Sequence, residues 1–179
     1  MAVKNTWTLL IINNSFAIST VMAGIRNGSA VRLIKIRRIG LVNAQTAAVS
    51  GIICLLDIRR YYNSVTWTAP TAFAAYPHDT TNGALVSCTT GYAGGATGGS
   101  GPDILRKLCW SSDEPTISIA TVDEWETFIP INIIWDLGYG DSSNINPLTL
   151  RNGEMVYVYN NQGATGLVDV WIEFTDEAV

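Results

Sequence analysis

The sequence predicts an all-β fold: an antiparallel two-sheet β-sandwich, with a barrel as the related alternative, in a single domain spanning residues 1–179. Short stretches rich in Val, Ile, Thr and aromatic residues recur along the chain, separated by clusters of Gly, Asn, Asp, Ser and Pro. Roughly nine to eleven such stretches occur, at the short and fairly even spacing typical of these folds. The sequence has no long amphipathic helical pattern, which excludes doubly wound α/β folds.

The N-terminal region predicts two strands, at residues 7–12 and 16–22, joined by a turn at 13–15. A second turn is predicted at Asn27 and Gly28, because both residue types tolerate a positive φ angle.

The next strand, at residues 31–41, changes phase in its middle. By their spacing Ile34 and Ile36 fall on one face, whereas Ile39 and Leu41 fall on the other. Such a shift indicates either a β-bulge or a strand that is apolar on both faces. A helix is the competing interpretation, but the β-branched residues and flanking glycines favour a strand.

The middle of the chain predicts a buried core strand at 51–58, followed by shorter candidates. Those candidates lie at residues 65–68, 84–90, 104–110, 116–120, 126–135 and 148–150. The Gly-rich stretch 91–102 carries few side chains that a core would bury, so we expect it to be an exposed, flexible loop.

The C-terminal third predicts a β-hairpin from about residue 155 to residue 174, with its turn at 160–163. In the second strand the side chains predicted to face the core are Val168, Val170, Ile172 and Phe174. Asp169 and Glu173 are predicted to point outward.

Composition limits the classes of function. Charged residues make up 15% of the chain, below the roughly 25% of ordinary soluble domains. The net charge of −4 argues against a general nucleic-acid binder, which carries a basic face. The sequence has no apolar run of the length that a transmembrane helix needs, and we expect no signal peptide.

The three cysteines, Cys54, Cys88 and Cys109, match no zinc-binding pattern. Cys54 lies in an apolar run and is expected to be a small buried side chain. A disulfide between two of the three remains open, and folding is consistent with a reducing compartment.

Catalytic patterns are weak. His78, the single histidine, precedes Asp79, but the Gly-x-Ser-x-Gly nucleophile turn is absent from the sequence. One histidine also rules out zinc sites built on several imidazoles. We therefore expect His78 to be a loop residue that makes a local hydrogen bond.

Two acidic clusters lie near Trp110 and Trp125, as a glycosidase cleft would need. Their members are Asp113, Glu114, Asp123, Glu124 and Glu126. Solvated turns between strands are the favoured interpretation. The sequence thus predicts no enzyme and assigns no catalytic, cofactor-binding or metal-binding residue.

The one concentration of positive charge comprises Arg32, Lys35, Arg37, Arg38, Arg59 and Arg60. This set fits contact with nucleic acid, contact with an acidic neighbouring subunit, or the solvent side of two strands, and the last is favoured. Six Trp and seven Tyr residues supply side chains for the core, for protein interfaces or for a sugar-stacking surface.

Three segments carry a resemblance to a known group: residues 33–43 (LIKIRRIGLVN), 51–59 (GIICLLDIR) and 148–174, which begins LTLRNGE. Their order resembles that of small structural proteins of tailed-bacteriophage particles: a basic strand, an apolar strand, long loops, a Gly-Glu turn and a final alternating strand. The resemblance implies a jelly-roll-like sandwich and a role as a capsid decoration or other auxiliary protein of the virion.

It also implies that the chain is made in the host cytoplasm and binds copies of itself, a trimer being one candidate, and other virion proteins. Membrane association is not expected. The alternative function is a carbohydrate-binding β-sandwich that recognises a receptor or surface glycan.

Overall fold

The computed structural model describes residues 5–15, 19–44, 52–85, 88–98, 101–112, 131–136, 146–161 and 167–179. The described residues form fourteen β-strands: β1 (Asn5–Ser15), β2 (Thr20–Asn27), β3 (Arg32–Asn43), β4 (Ile52–Tyr61), β5 (Thr66–Thr68), β6 (Thr71–Ala72), β7 (Ala75–Pro77), β8 (Cys88–Tyr92), β9 (Gly95–Thr97), β10 (Asp103–Ser112), β11 (Ile131–Asp136), β12 (Leu148–Leu150), β13 (Met155–Asn160) and β14 (Leu167–Ala178). The strands without a predicted counterpart are β6, β7 and β9, which have only two or three residues and leave little pattern in a sequence.

Two six-stranded antiparallel sheets make up the sandwich, which confirms the predicted fold class. Sheet 1 has the order β11-β3-β14-β1-β7, with β12 also paired to β3. Sheet 2 has the order β10-β4-β13-β2-β8-β6. A small third sheet pairs β5 with β9.

The ladders of the longer strands are nested along the chain. β1 pairs with β14 and β3 with β11 in sheet 1, whereas β2 pairs with β13 and β4 with β10 in sheet 2. The paired strands therefore step inward from both chain ends while the ladders alternate between the two sheets. This is the path of one two-stranded antiparallel ribbon wrapped around a common core.

The core lies between the facing sides of the two sheets. It includes Leu9 and Ile11 of β1 and Val156 and Val158 of β13, all with no exposed surface. The predicted inward residues of β14 are equally buried: Val168, Val170, Ile172 and Phe174. Asp169 and Glu173 are only partly buried on the other side, so this alternation is confirmed.

The phase change in β3 is a β-bulge. Ile36 lies opposite Phe174 and Arg38 opposite Glu173, which leaves Arg37 as an extra residue on β3. Because of this insertion, Ile34, Ile36, Ile39 and Leu41 all reach the core and have no exposed surface.

The predicted C-terminal hairpin is wrong. β13 pairs with β2 and β4 in sheet 2, whereas β14 pairs with β1 and β3 in sheet 1. An alternating pattern shows which side of a strand is apolar, but it does not show which sheet the strand joins. Two successive alternating strands can therefore lie in the two different sheets of a sandwich, each with its apolar side toward the core.

The Gly-rich stretch 91–102 is not a single loop. Gly91 is a buried residue of β8, and residues 95–97 form β9 against β5. A Cβ on Gly91 would overlap the carbonyl oxygen of Thr71 in the neighbouring β6, so the absent side chain permits close strand pairing. Residues 99 and 100 lie outside the described ranges.

The N-terminal predictions are partly revised. β1 continues through the predicted turn to Ser15, with a register shift between Ile11 and Asn14. The buried amide of Asn14 donates a hydrogen bond to the carbonyl oxygen of Met22, which connects β1 to β2 across the two sheets. The predicted core strand at 51–58 is confirmed over residues 52–58, which belong to β4, whereas residue 51 and the candidate at 116–120 lie outside the described residues.

Candidate interaction surfaces

Most of the predicted basic residues already form ion pairs within the chain. Arg32 lies 2.8 Å from Asp176, Lys35 2.5 Å from Glu177, Arg38 3.4 Å from Asp136, Arg59 2.7 Å from Asp57 and Arg60 2.8 Å from Glu154. Arg37 occupies the bulge of β3. Because these cations are compensated, the set favours the solvent side of strands over a nucleic-acid surface.

His78 is exposed, and its hydrogen bond is not local in sequence as predicted. Its Nε2 lies 2.7 Å from the hydroxyl oxygen of Thr8 in β1, 70 residues away in the chain. The carboxylate of Asp79 instead accepts hydrogen bonds from the backbone and hydroxyl of Thr81, which lower its pKa. The two neighbours thus engage separate partners.

The remaining candidate residues are the acidic clusters, the tryptophans near them and the cysteines. The acidic clusters, which comprise Asp113, Glu114, Asp123, Glu124 and Glu126, lie outside the described residues. So do Trp125 and the side chains of Trp110 and Cys54. Cys88 and Cys109 are free thiols. Desolvation by burial, with a smaller contribution from Asp176, raises the pKa of Cys88 to about 12, so its thiol is unreactive near neutral pH.

The outer face of sheet 2 carries a second apolar cluster, which the small β5–β9 sheet covers. Trp67 of β5 packs with Met155 and Tyr157 of β13, and these three side chains are 8%, 0% and 3% exposed. The indole nitrogen of Trp67 donates a hydrogen bond of 2.9 Å to the carbonyl oxygen of Ala93. We call this cluster the Trp67 face.

A polar network borders the Trp67 face. Arg59 donates two hydrogen bonds to one carboxylate oxygen of Asp57, whose residue is only 1% exposed. The guanidinium also donates to the Asn161 side chain at 2.6 Å and lies 3.8 Å from the centre of the Tyr159 ring. It thus covers part of an aromatic surface that a sugar ring would otherwise contact.

The outer face of sheet 1 exposes a row of apolar residues instead. Leu10 of β1 lies opposite Trp171 of β14, Trp171 opposite Gly40 of β3, and Gly40 opposite Ile133 of β11. Leu10 is 39% exposed and Ile133 is 51% exposed, while Ile12, farther along β1, is also 51% exposed. We call Leu10, Ile12, Trp171 and Ile133 the Trp171 face.

Trp171 lies across the sheet because Gly40 lacks a side chain. A Cβ on Gly40 would overlap Cε2, Cζ2 and Nε1 of the indole ring. The glycine therefore lets the ring pack against the backbone of β3, and Trp171 remains only partly buried.

A polar row crosses the sheet beside the apolar row. It lies two residues farther along β14, at Glu173 rather than Trp171. It crosses the sheet in the order Thr8, Glu173, Arg38, Asp136, so that Glu173 and Arg38 are direct cross-strand neighbours of opposite charge. On the other side of the apolar row, Asp169 lies opposite Val42 and accepts a hydrogen bond from the backbone of Asn13.

One open pocket of about 450 Å³ lies between the ends of β3, β4 and β12. Its lining includes Lys35, Arg60 and Arg151. Two of these cations pair with Glu177 and Glu154, so the pocket offers little uncompensated charge to an anion.

Within the described ranges, no three His, Cys, Asp or Glu side chains are grouped as the ligands of a metal ion would be. Among those same residues there is also no helix with the length and apolar character of a membrane span.

The contact between Trp171 and Gly40 was not predicted from the sequence, although part of the signal was present. Alternation along β14 places Trp171 on the same side as Asp169 and Glu173. The opposing glycine depends on strand register, which the sequence pattern does not specify across three strands.

Comparisons with models of protein families, with curated proteins and with solved structures return no match for this chain.

Proposed function

We propose that the chain is a virion structural protein, a capsid decoration or other auxiliary subunit that acts through protein–protein contacts. The observation that carries the proposal is the Trp171 face. Leu10, Ile12 and Ile133 are exposed on the outer side of sheet 1, near a partly buried Trp, and contiguous exposed apolar patches mark interaction sites. Tryptophan is also among the residues that concentrate binding energy in protein interfaces.

The strand order supports a jelly roll, an architecture that occurs in viral capsid domains. The eight strands of the wrapped ribbon are β1, β2, β3, β4, β10, β11, β13 and β14. When they are numbered 1 to 8 in that order, sheet 1 has the strand order 6-3-8-1 and sheet 2 has the order 5-4-7-2. This nesting of strand pairs is what a rolled ribbon produces. Lectin domains and cupins share the architecture, so the virion role rests on the exposed face rather than on the fold.

Imaging and proteomics of particles test this role directly. The chain would be identified by mass spectrometry in purified particles from its source, and labelled antibody would locate it by electron microscopy. We expect the antibody to bind intact particles at regular positions. Particles of that source without the chain, or a purified chain that does not bind particles depleted of it, would contradict the proposal.

A carbohydrate-binding module is the second candidate, because the indole of Trp171 packs along the sheet with the carboxylates of Glu173 and Asp169 on the same face. An aromatic ring beside polar groups is the arrangement on which sugar rings stack. The test is a glycan array together with tryptophan fluorescence, and Trp171→Ala should abolish any signal. No change in fluorescence with any glycan would eliminate this candidate.

A further inference from the structure

We infer that the Trp171 face binds the same face of a second copy of this chain, around a twofold axis that runs parallel to β14 and β3. This inference rests on the proposed function in one respect: it assumes that the face takes part in protein–protein contact. It adds the partner, the symmetry and the residue pairs.

The chemistry of the face favours a protein over a saccharide. Leu10 and Ile133 lie in the same cross-strand row as Trp171, and Ile12 lies farther along β1, so three exposed aliphatic side chains share this face. Aliphatic groups gain free energy by being removed from water, about 25 cal/mol per Å² of apolar surface, but they offer a sugar hydroxyl no hydrogen bond.

Charge complementarity favours a second copy over another protein. Two identical sheets that pack face to face are related by an axis in the plane between them. We place this axis parallel to the strands, between β14 and β3. Each residue on one side of the axis then faces the partner's residue that lies at the same distance on the other side, within the same cross-strand row. Glu173 then lies opposite the partner's Arg38, and Arg38 opposite the partner's Glu173.

The same rotation matches the rest of the face. Leu10 of β1 meets the partner's Ile133 of β11, because the two strands flank the central pair on either side. In the polar row, the hydroxyl of Thr8 meets the carboxylate of the partner's Asp136. In these two rows aliphatic groups meet aliphatic groups and acceptors meet donors, whereas beyond them Asp169 lies opposite the partner's Val42.

The perpendicular choice of axis is disfavoured by charge. An axis across the strands, along the apolar row, would place Glu173 opposite the partner's Asp169 and Arg38 opposite the partner's Val42. Like charges would then meet twice and the guanidinium would lose a partner.

Sedimentation equilibrium of the purified full chain is the first test. We expect a monomer–dimer equilibrium for the natural sequence, and Leu10→Asp should weaken it at least about tenfold. The matched control is Leu55→Asp, which places the same charge at a similarly exposed leucine on sheet 2 (43% exposed, against 39% for Leu10) and should leave the dimer unchanged. Circular dichroism checks that both variants fold.

A charge exchange tests the axis itself. Arg38→Glu alone creates two Glu–Glu contacts in a homodimer, and Glu173→Arg alone creates two Arg–Arg contacts, so both variants should be monomers. When the two variants are mixed, both contacts become Glu–Arg pairs and a heterodimer should form. Native mass spectrometry distinguishes the heterodimer from both homodimers.

Three results would overturn the inference: a natural chain that stays monomeric at roughly 100 μM, a trimer, which an isologous face cannot close, or Leu55→Asp disrupting the dimer as much as Leu10→Asp. Failure of the mixed variants to associate would refute the axis. Particle binding by a strictly monomeric chain would refute the dimer but retain the virion role. A dimer without affinity for particles would refute the virion role but retain the dimer.

Discussion

The two outer faces of the sandwich each pack a tryptophan against a glycine, yet only one of them is closed. On sheet 2, Trp67 reaches Gly24 from the small β5–β9 sheet, with its Cη2 3.1 Å from the position that a Cβ on Gly24 would occupy. On sheet 1, Trp171 comes from within the sheet and packs on Gly40 of the adjacent strand.

The difference lies in what covers each tryptophan. The Trp67 face has its own lid of two short strands and is buried within one molecule, with the indole nitrogen bonded to Ala93. The Trp171 face keeps Leu10, Ile12 and Ile133 exposed. One apolar face is therefore covered within the folded chain, whereas the other stays exposed to solvent.

The largest expected contrast is between the two tryptophans. Trp67→Ala should lower the free energy of unfolding by about 3–5 kcal/mol, because it empties a buried site and uncovers Met155 and Tyr157. Trp171→Ala should lower it by less than about 1.5 kcal/mol in dilute solution, since the side chain is only partly buried. Urea denaturation of both variants measures the difference, and equal losses would contradict the comparison.

The two free thiols differ in their exposure to solvent. Cys109 of β10 is exposed, whereas burial raises the pKa of Cys88 to about 12. At pH 8 we expect a maleimide to label the exposed Cys109 at least about tenfold faster than Cys88, because the thiolate is the reactive species and burial of Cys88 disfavours it. Peptide mapping by mass spectrometry identifies the labelled residue, and similar rates would show that β8 opens readily.

The same thiol gives a pH dependence with a defined sign. Since the pKa of Cys88 is higher in the folded chain than in the unfolded chain, the unfolded chain loses its proton first as the pH rises. The free energy of unfolding should therefore fall above about pH 9, by at most about 1.4 kcal/mol per pH unit from this group. Cys88→Ala should reduce that slope.

The next contrast concerns ion pairs on the two faces. Asp57 is 1% exposed beneath Arg59, so Asp57→Ala leaves a guanidinium without its carboxylate and should destabilise the chain by about 3 kcal/mol. Asp136→Ala, at the edge of the Trp171 face, removes a 3.4 Å pair whose carboxylate is 35% exposed and should change stability by less than about 1 kcal/mol. If Asp57→Ala together with Arg59→Ala is no more stable than Asp57→Ala alone, the unpaired charge is not the cause.

The sequence predicted well those features that depend on one strand. The inward alternation of β14 and the irregularity of β3 follow from residue order alone, because a side-chain period of two is visible without knowing the neighbours. The choice between a bulge and a doubly apolar strand needed the register with β14. In that register, Arg37 has no opposing residue.

Features that depend on two or more strands were beyond the sequence. The predicted hairpin at 155–174 failed because alternation does not reveal which sheet a strand joins. The Gly-rich stretch was misjudged for a related reason: a glycine such as Gly91 reads as flexible in isolation but serves close approach once β6 lies beside it. Neither tryptophan–glycine contact can be found from spacing, since each joins residues far apart in the chain.

The smallest and most specific contrast is between the two glycines. Gly40→Ala places a methyl group where the indole of Trp171 now lies, so the ring must tilt away from the sheet at a cost of about 1–3 kcal/mol. Gly24→Ala should cost less, because a Cβ there would lie 3.0–3.1 Å from Met155, Trp67 and Tyr157, whereas a Cβ on Gly40 would lie 2.3–2.5 Å from the indole of Trp171. Gly83→Ala is the control, since a Cβ there meets no atom within 4 Å.

Iodide quenching of tryptophan fluorescence separates a tilted ring from general loosening of the fold. In Gly40→Ala quenching should increase, while the far-ultraviolet circular dichroism stays that of the natural chain. The dimer should also weaken, because a tilted indole cannot lie flat against a second sheet. If Gly40→Ala leaves both quenching and association unchanged, the position of Trp171 does not shape this face, and the exposed aliphatic residues alone would have to account for any partner.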